Sequence, residues 1–174
     1  MNNSMLESSR RAGCLRAVMI ITGFLSNQAG AQDSAVIRQF MGSWNGQGRL
    51  MGANAEFKMK WDLVLGDKFV HLIFQNKRSD GEGREFILDA EAFYKPLDGA
   101  KLEGHWFDSR GMILPLQASV SDSTLTTHWG APETEQGRTV YRLVSPGHIE
   151  VTDFVLRKGE WRQFGNAVYR REND

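Results

Sequence analysis

Residues 55–63 read Ala-Glu-Phe-Lys-Met-Lys-Trp-Asp-Leu, and this stretch decides the fold class. Apolar side chains occupy every second position from Phe57 to Leu65. The alternate positions from Glu56 to Asp62 all carry charged side chains. Successive side chains of a β-strand point to opposite faces. The pattern therefore predicts a strand with one buried face and one solvent-facing face.

Similar alternation runs through the rest of the chain, and turn residues such as Asp, Gly, Pro and Ser interrupt it. It predicts strands over 43–51, 55–65, 68–77, 84–94, 101–108, 112–120, 124–130, 138–145, 148–157 and 160–170. Short connections favour antiparallel pairing, and closure into an up-and-down barrel removes the exposed edges. We therefore expect an all-β, lipocalin-like barrel of eight to ten strands, with a two-sheet sandwich as the alternative. A short helix over 34–41 is placed to close one end.

The first 31 residues have the three parts of a secretory signal peptide. The positive part contains Arg10, Arg11 and Arg16. An apolar run follows at 17–25, too short for the roughly 20 residues that span a bilayer, and 29–31 read Ala-Gly-Ala. We expect cleavage after Ala31 and export of one soluble domain, residues 32–174, to the periplasm or the cell exterior. No later apolar stretch predicts a membrane span.

Charge and cysteine content exclude several classes of protein. The chain has 21 basic and 21 acidic residues, and removal of the first 31 residues leaves 18 and 20. This balance excludes a strongly basic nucleic-acid-binding protein. The single cysteine, Cys14, lies in the predicted signal peptide, so the exported domain would have no disulfide and no thiolate chemistry.

The predicted helix meets the first strand at Gly42-Ser43-Trp44-Asn45-Gly46-Gln47-Gly48. A helix that ends in the glycine of Gly-x-Trp and enters the first strand through that Trp resembles the opening of lipocalins and other calycins, and the longer G-x-W-x-G-x-G form resembles nitrobindin-like barrels. The chain also resembles an uncharacterised family of exported bacterial β-barrel proteins near the calycins. That resemblance rests on 40–44, Trp61 with 65–66, 104–111, 138–141 and 160–164. It implies a small barrel without an assigned reaction, in which Trp44 plugs the closed end.

The interior of such a barrel is filled by side chains or holds one small ligand. We predict a small apolar or amphipathic ligand, bound mainly by aromatic side chains. The candidate binding residues are Trp61, Trp106, Trp129, His105, Tyr141 and Arg142, and Phe57 and Met59 add apolar wall. Fatty-acid-binding barrels hold a ligand carboxylate with an Arg and a Tyr on late strands, and this analogy adds Arg138, Tyr169 and Arg170 to the candidates. If Tyr141 faces inward, Arg138 and Arg142 face solvent; the reverse orientation would require an anion beside them.

Two other functions remain open from the sequence: a structural or interaction barrel with a filled core, and an enzyme on the same fold. Asp153 shares an apolar strand face with Ile149 and Val155, where burial would raise its pKa and suit acid–base catalysis. His105 and Tyr141 would be its catalytic partners. The structural alternative is a salt bridge from Asp153 to an arginine of the neighbouring strand. The sequence contains no catalytic-triad signature and no phosphate-binding loop.

The four histidines are His71, His105, His128 and His148, and none is paired at a spacing typical of metal ligands. We therefore predict neither a metal site nor a cofactor. The resemblance to nitrobindin-like barrels implies haem held by a histidine near the C-terminal end. Residues 164–170 contain no histidine, which leaves His148, Tyr141 or Tyr169 as the side chains that could reach iron. The sequence does not indicate an oligomeric state.

Overall fold

The computed structural model describes residues 35–97 and 100–172, and the predicted signal peptide with Cys14 lies outside them. A helix, α1, covers residues 35–40. Ten strands follow: β1 (Gly42–Leu50), β2 (Ala53–Val64), β3 (Phe69–Ser79), β4 (Glu85–Pro96), β5 (Lys101–Asp108), β6 (Ile113–Ser121), β7 (Thr124–Gly130), β8 (Gln136–Ser145), β9 (His148–Arg157) and β10 (Glu160–Arg171).

The strands form one closed antiparallel barrel. Each strand pairs with its neighbours in sequence, and β1 pairs with β10, so no strand edge is left without a partner strand. The predicted up-and-down barrel is confirmed, and the sandwich alternative is wrong. The ends of all ten predicted strands lie within two residues of the observed ends. Leu65 is an exception to the predicted face of β2: it lies in the following turn with a φ of 54° and is exposed.

One end of the barrel is closed by aromatic side chains beside α1. The Phe40 ring centroid lies 6.1 Å from that of Trp61 and 6.4 Å from that of Tyr141, and the Trp61 and Tyr141 centroids are 5.5 Å apart. Trp44 is 1% exposed and belongs to the same core. The helix therefore closes one end, as its position in the sequence predicts.

Two side chains hold the C-terminal end of α1 against the barrel. The Trp44 indole Nε1 donates a hydrogen bond of 2.7 Å to the Phe40 carbonyl. Arg171 donates to the carbonyls of Gln39 and Met41, and its Cζ lies 4.3 Å from the centroid of the Trp44 ring. A cation at this end of a helix satisfies carbonyls that have no partner within the helix. Gly42 then starts β1 with a φ of 106°.

The structure settles which faces of β8 and β10 point inward. On β8, Tyr141 is buried, and Arg138 and Arg142 lie on the opposite, outer face. On β10, the register with β9 shifts between Gln163 and Gly165. Apolar residues fall on both alternating faces of 161–170, and this β-bulge explains that mixed pattern, because an extra residue exchanges the inward and outward positions on either side of it.

No helix within residues 35–97 and 100–172 has the length and apolar character needed to cross a bilayer.

Candidate functional site

A cavity of about 330 Å³ occupies the barrel interior above the closed end. Its mouth is bordered by turns that join β1 to β2, β5 to β6 and β7 to β8, which contribute Met51, Arg110, Met112 and Glu135. The volume lies at the lower end of the roughly 300–1,000 Å³ typical of small-molecule sites. The barrel therefore has room for one small ligand.

Aromatic side chains form much of the cavity wall. Phe57 and Phe74 have ring centroids 6.3 Å apart, and the Phe74 and Trp106 centroids are 5.6 Å apart. On the other side, the Trp129 and Phe164 rings meet edge to face with centroids 6.4 Å apart. These rings give the cavity rigid apolar surfaces suited to a flat or bulky apolar group.

Two glycines make space for side chains of this wall. A Cβ at Gly137 would lie 1.8 Å from Cζ2 of Trp129, so the indole packs directly against the β8 backbone. A Cβ at Gly165 would lie 3.0 Å from Oδ2 of Asp153 and 3.1 Å from Leu50. The absence of a side chain at these two positions lets Trp129 and Asp153 adopt their places beside the cavity.

Two carboxylates line the cavity, Glu135 at its mouth and Asp153 in the barrel interior. Asp153 is the more deeply buried of the two. The Thr139 hydroxyl donates a hydrogen bond of 2.7 Å to Oδ1 of Asp153. The indole Nε1 of Trp129 in turn donates to the Thr139 hydroxyl at 3.3 Å. Burial raises the pKa of Asp153 to about 6, and the hydrogen bond from Thr139 acts in the opposite direction. The predicted apolar surroundings of Asp153 are confirmed, whereas the alternative of a salt bridge is wrong: no arginine of the described chain lies within ion-pair distance.

Three tyrosines and one asparagine add polar groups to the same space. The Tyr94 hydroxyl lies 3.5 Å from the Thr127 hydroxyl oxygen, and burial raises the pKa of Tyr94 to about 12. Burial also raises the pKa of Tyr141 and of Tyr169 well above the usual value, so all three phenols are neutral at physiological pH. Asn76 is buried on the opposite wall and lines the cavity. Its amide makes no side-chain hydrogen bond to another described residue.

Charged groups at the mouth are already paired. Arg110 Nη2 lies 2.6 Å from Oδ2 of Asp108, which also accepts a 3.0 Å hydrogen bond from the Trp106 indole. The hydrogen bond from Trp106 fixes its ring at the rim. Burial of Asp108 raises its pKa, but the hydrogen bonds from Arg110 and Trp106 together outweigh burial and lower it. Glu135 pairs with Arg157 across the β7–β8 and β9–β10 connections.

The structure places three of the six predicted binding residues at the cavity: Trp106, Trp129 and Tyr141. Trp61 lies below it, in the closed-end core. His105 and Arg142 do not reach the interior. His105 is exposed on the outer face of β5, and Arg142 pairs with Glu150 on the outer face of the barrel. Arg138 and Arg170 also point outward, so among these arginines the structure provides no interior clamp for a carboxylate.

Sequence reasoning missed several residues of the cavity wall, which are Asn76, Arg110, Thr127, Glu135, Thr139 and Phe164. Asn76 had a usable signal, because it follows Val70, Leu72 and Phe74 on the inward face of β3. A polar residue at the end of such an apolar series indicates a group that faces an interior space. Phe164 had no such signal, since apolar residues fall on both alternating faces of 161–170 and do not locate the bulge that turns it inward.

The described histidines do not fit the haem site that the nitrobindin resemblance implies. His71 pairs with Glu91 and stacks on Phe93 on the outer face, and His128 packs edge to face on Trp161 outside the barrel. His105 and His148 also lie outside the cavity wall. No imidazole therefore lines the described cavity. Nor do the described residues include a group of three or more His, Cys, Asp and Glu side chains placed to hold a metal ion.

Comparison with known proteins identifies neighbours in fold. No protein-family model matches the sequence, and neither does any of the curated proteins. The crystal structure of Rv2717c from M. tuberculosis matches with a TM-score of 0.60 and 12% identity, over 81% of this chain and 98% of that chain. The S-type phycobiliprotein lyase CPES from Guillardia theta matches with a TM-score of 0.58 and 9% identity, over 87% of this chain and 99% of that chain. At these identities the likeness shows a shared lipocalin-like barrel fold.

Proposed function

We propose that this protein binds one small, largely apolar molecule inside its barrel. The observation that carries the proposal is the interior cavity of about 330 Å³, with an aromatic wall and a few polar groups that face it. Functional small-molecule sites have this composition: an apolar surface supplies affinity, and a few polar groups fix orientation. The Asn76 side chain also supports the proposal, because its amide lines the cavity and offers donor and acceptor groups to a bound molecule.

The two other functions have weaker support. A barrel with a filled core would leave no space of this size among its inward side chains. An acid–base enzyme built on Asp153 would need a second reactive group beside it. The histidine considered for that role, His105, is exposed on the outer face, and the closest hydrogen-bond partner of Asp153 is the Thr139 hydroxyl.

A cavity-filling substitution tests the proposed binding site. Leu114 faces the cavity from β6, and its neighbour Ile113 is exposed on the outer face of the same strand. We expect Leu114→Trp to occupy the cavity and to weaken binding of the neutral aromatic probe 2-naphthalenemethanol at least about tenfold, the size of a lost well-packed apolar contact. Isothermal titration calorimetry of the purified protein measures the change.

Ile113→Trp is the matched control, because it adds the same side chain one position away on the outer face. We expect its probe affinity to equal that of the unmodified protein. Circular dichroism verifies that both variants keep the barrel. Equal affinities for the two variants, or no measurable binding to the unmodified protein, would contradict an interior binding site.

We also propose that the protein acts after export. The support is the arginine-rich segment, the short apolar run and the Ala29-Gly30-Ala31 site at the start of the chain. Expression of the full chain in a bacterial host should yield a secreted or periplasmic product that begins at Gln32, as read by intact-mass spectrometry. A cytoplasmic product that retains residues 1–31 would contradict the proposal.

A further inference from the structure

Asp153 presents a carboxylate oxygen that the described protein does not satisfy. Oδ1 accepts the Thr139 hydroxyl, but Oδ2 has no hydrogen-bond partner among residues 35–97 and 100–172. Oδ2 lies next to Gly165, where a Cβ atom would come within 3.0 Å of it. Oδ2 is open to the cavity, since Asp153 lines it and this oxygen is not among the fully buried atoms without a partner. A carboxylate in an apolar cavity is stabilised by a group that brings positive charge or hydrogen bonds, and this points to such a group on the ligand.

Three side chains of the described cavity wall carry a formal charge, and among them Asp153 alone has no ion-pair partner. The others are Arg110, which is held by Asp108, and Glu135, which is held by Arg157. The remaining titratable groups that face Asp153 are the phenols of Tyr94, Tyr141 and Tyr169, which burial keeps neutral. With its pKa at about 6, Asp153 is mostly ionised at neutral pH, and the cavity then carries one uncompensated negative charge.

Aromatic rings form much of the wall of the cavity that Asp153 lines. Trp129 is linked to Asp153 through the Thr139 hydroxyl, and Trp106, Phe74 and Tyr141 line the same cavity. Aromatic faces attract cations through the negative potential of their π-systems, most strongly when water is excluded. Carboxylate and rings together therefore favour a cation and disfavour an anion.

We propose that the ligand of this cavity is a small aromatic amine in its protonated form, with its ammonium group paired with Asp153 and its ring packed against Trp106 and Trp129. This inference rests on the proposed function, since it names the chemical class of the molecule that the cavity binds. It accounts for the free carboxylate oxygen, the unpaired charge and the aromatic wall with one occupant. An acidic ligand, such as a fatty acid, would bring a second negative charge next to Asp153.

A matched series of naphthalene probes tests the charge preference. The probes are 2-naphthylmethylamine, 2-naphthalenemethanol and 2-naphthoate, which share one ring system and differ in charge at neutral pH. We expect the amine to bind at least about tenfold more tightly than the alcohol, as a charge-assisted hydrogen bond predicts, and the carboxylate to bind most weakly. Calorimetric titration of the full mature protein gives the three dissociation constants.

Asp153→Asn keeps the shape of the side chain and removes its charge. In this variant we expect the amine to lose its advantage over the alcohol, with a ratio of dissociation constants within about twofold, while the alcohol still binds. Glu150→Gln is the control, because Glu150 lies on the outer face of the same strand and pairs with Arg142. Its amine preference should equal that of the unmodified protein.

The outcomes separate this inference from the proposed function. If the alcohol binds and Leu114→Trp abolishes that binding, but the amine is no tighter, the amine proposal is overturned and the binding cavity stands. If the amine is preferred equally in Asp153→Asn, the pairing with Asp153 is overturned. If none of the three probes binds, both proposals fail.

Discussion

Replacement of Trp44 by alanine is expected to lower the free energy of unfolding by about 3–5 kcal/mol, the range for removal of a buried tryptophan or phenylalanine. Trp44 is 1% exposed, and its loss leaves a cavity at the closed end of the barrel. The substitution also removes the indole donor to the Phe40 carbonyl and the ring beneath Arg171, two contacts that hold α1 in place. Equilibrium unfolding in urea, followed by circular dichroism, measures the change.

Trp161→Ala is the control for this prediction. Trp161 is 39% exposed on the outer face, where its ring lies 5.0 Å from the Arg138 guanidinium carbon. Removal of this exposed ring should cost no more than about 1 kcal/mol. Equal losses for the two variants would show that Trp44 does not plug the core.

Substitution of Asp153 by asparagine is expected to raise the free energy of unfolding at pH 7.5 by as much as about 3 kcal/mol. The pKa of Asp153 is raised from 3.8 to about 6 in the folded protein. Between these two values the folded state binds more protons than the unfolded state. Stability therefore falls as pH rises from about 4 to 6, and the asparagine variant does not undergo this loss.

The difference between the two proteins should consequently depend on pH. It should be largest above pH 6.5 and should fall to its smallest value below about pH 3, where Asp153 is protonated in both states. Chemical unfolding of both proteins at a series of pH values measures it, and all other carboxylates cancel in the comparison. A stability difference that is constant with pH, or a variant that is less stable at pH 7.5, would contradict the raised pKa.

A gain in stability on loss of Asp153 would support a binding role for this residue. Natural proteins retain destabilising groups chiefly where function requires them. A bound cation would pair with the carboxylate and so raise the free energy of unfolding of the native protein. Ligand binding and stability are therefore linked through this one side chain.

The fold was predictable because its signal is local and repeated. In β2, Phe57, Met59 and Trp61 alternate with charged residues, and the barrel buries the apolar set and exposes the rest. Gly42 and Trp44 mark the passage from helix to barrel, which the structure confirms through a positive φ and a buried indole. A period of two indicates which residues share a face, and short connections indicate which strands pair.

The site was only partly predictable, because it depends on side chains from strands that are distant in sequence and on local irregularities of the strands and turns. Alternation placed Asp153 on the apolar face of its strand but left the orientation of Tyr141 open, and His105 was a candidate for its chemistry although it lies on the opposite face from Trp106. The bulge in β10 reverses the faces and brings Phe164 inward, and the mixed alternation of 161–170 does not show where that change occurs. The ion pair between Arg110 and Asp108 depends on the geometry of a single turn.

The central claim is that the barrel interior holds a small molecule, and native mass spectrometry of the mature protein from its source organism tests it most directly. We predict an added mass of a few hundred daltons, about what a cavity of this size admits, released on denaturation and positively charged in solution at neutral pH. The Leu114→Trp variant, purified in parallel from the same organism, should lack that mass. A bare polypeptide mass for the unmodified protein, or the same added mass on both proteins, would contradict the account.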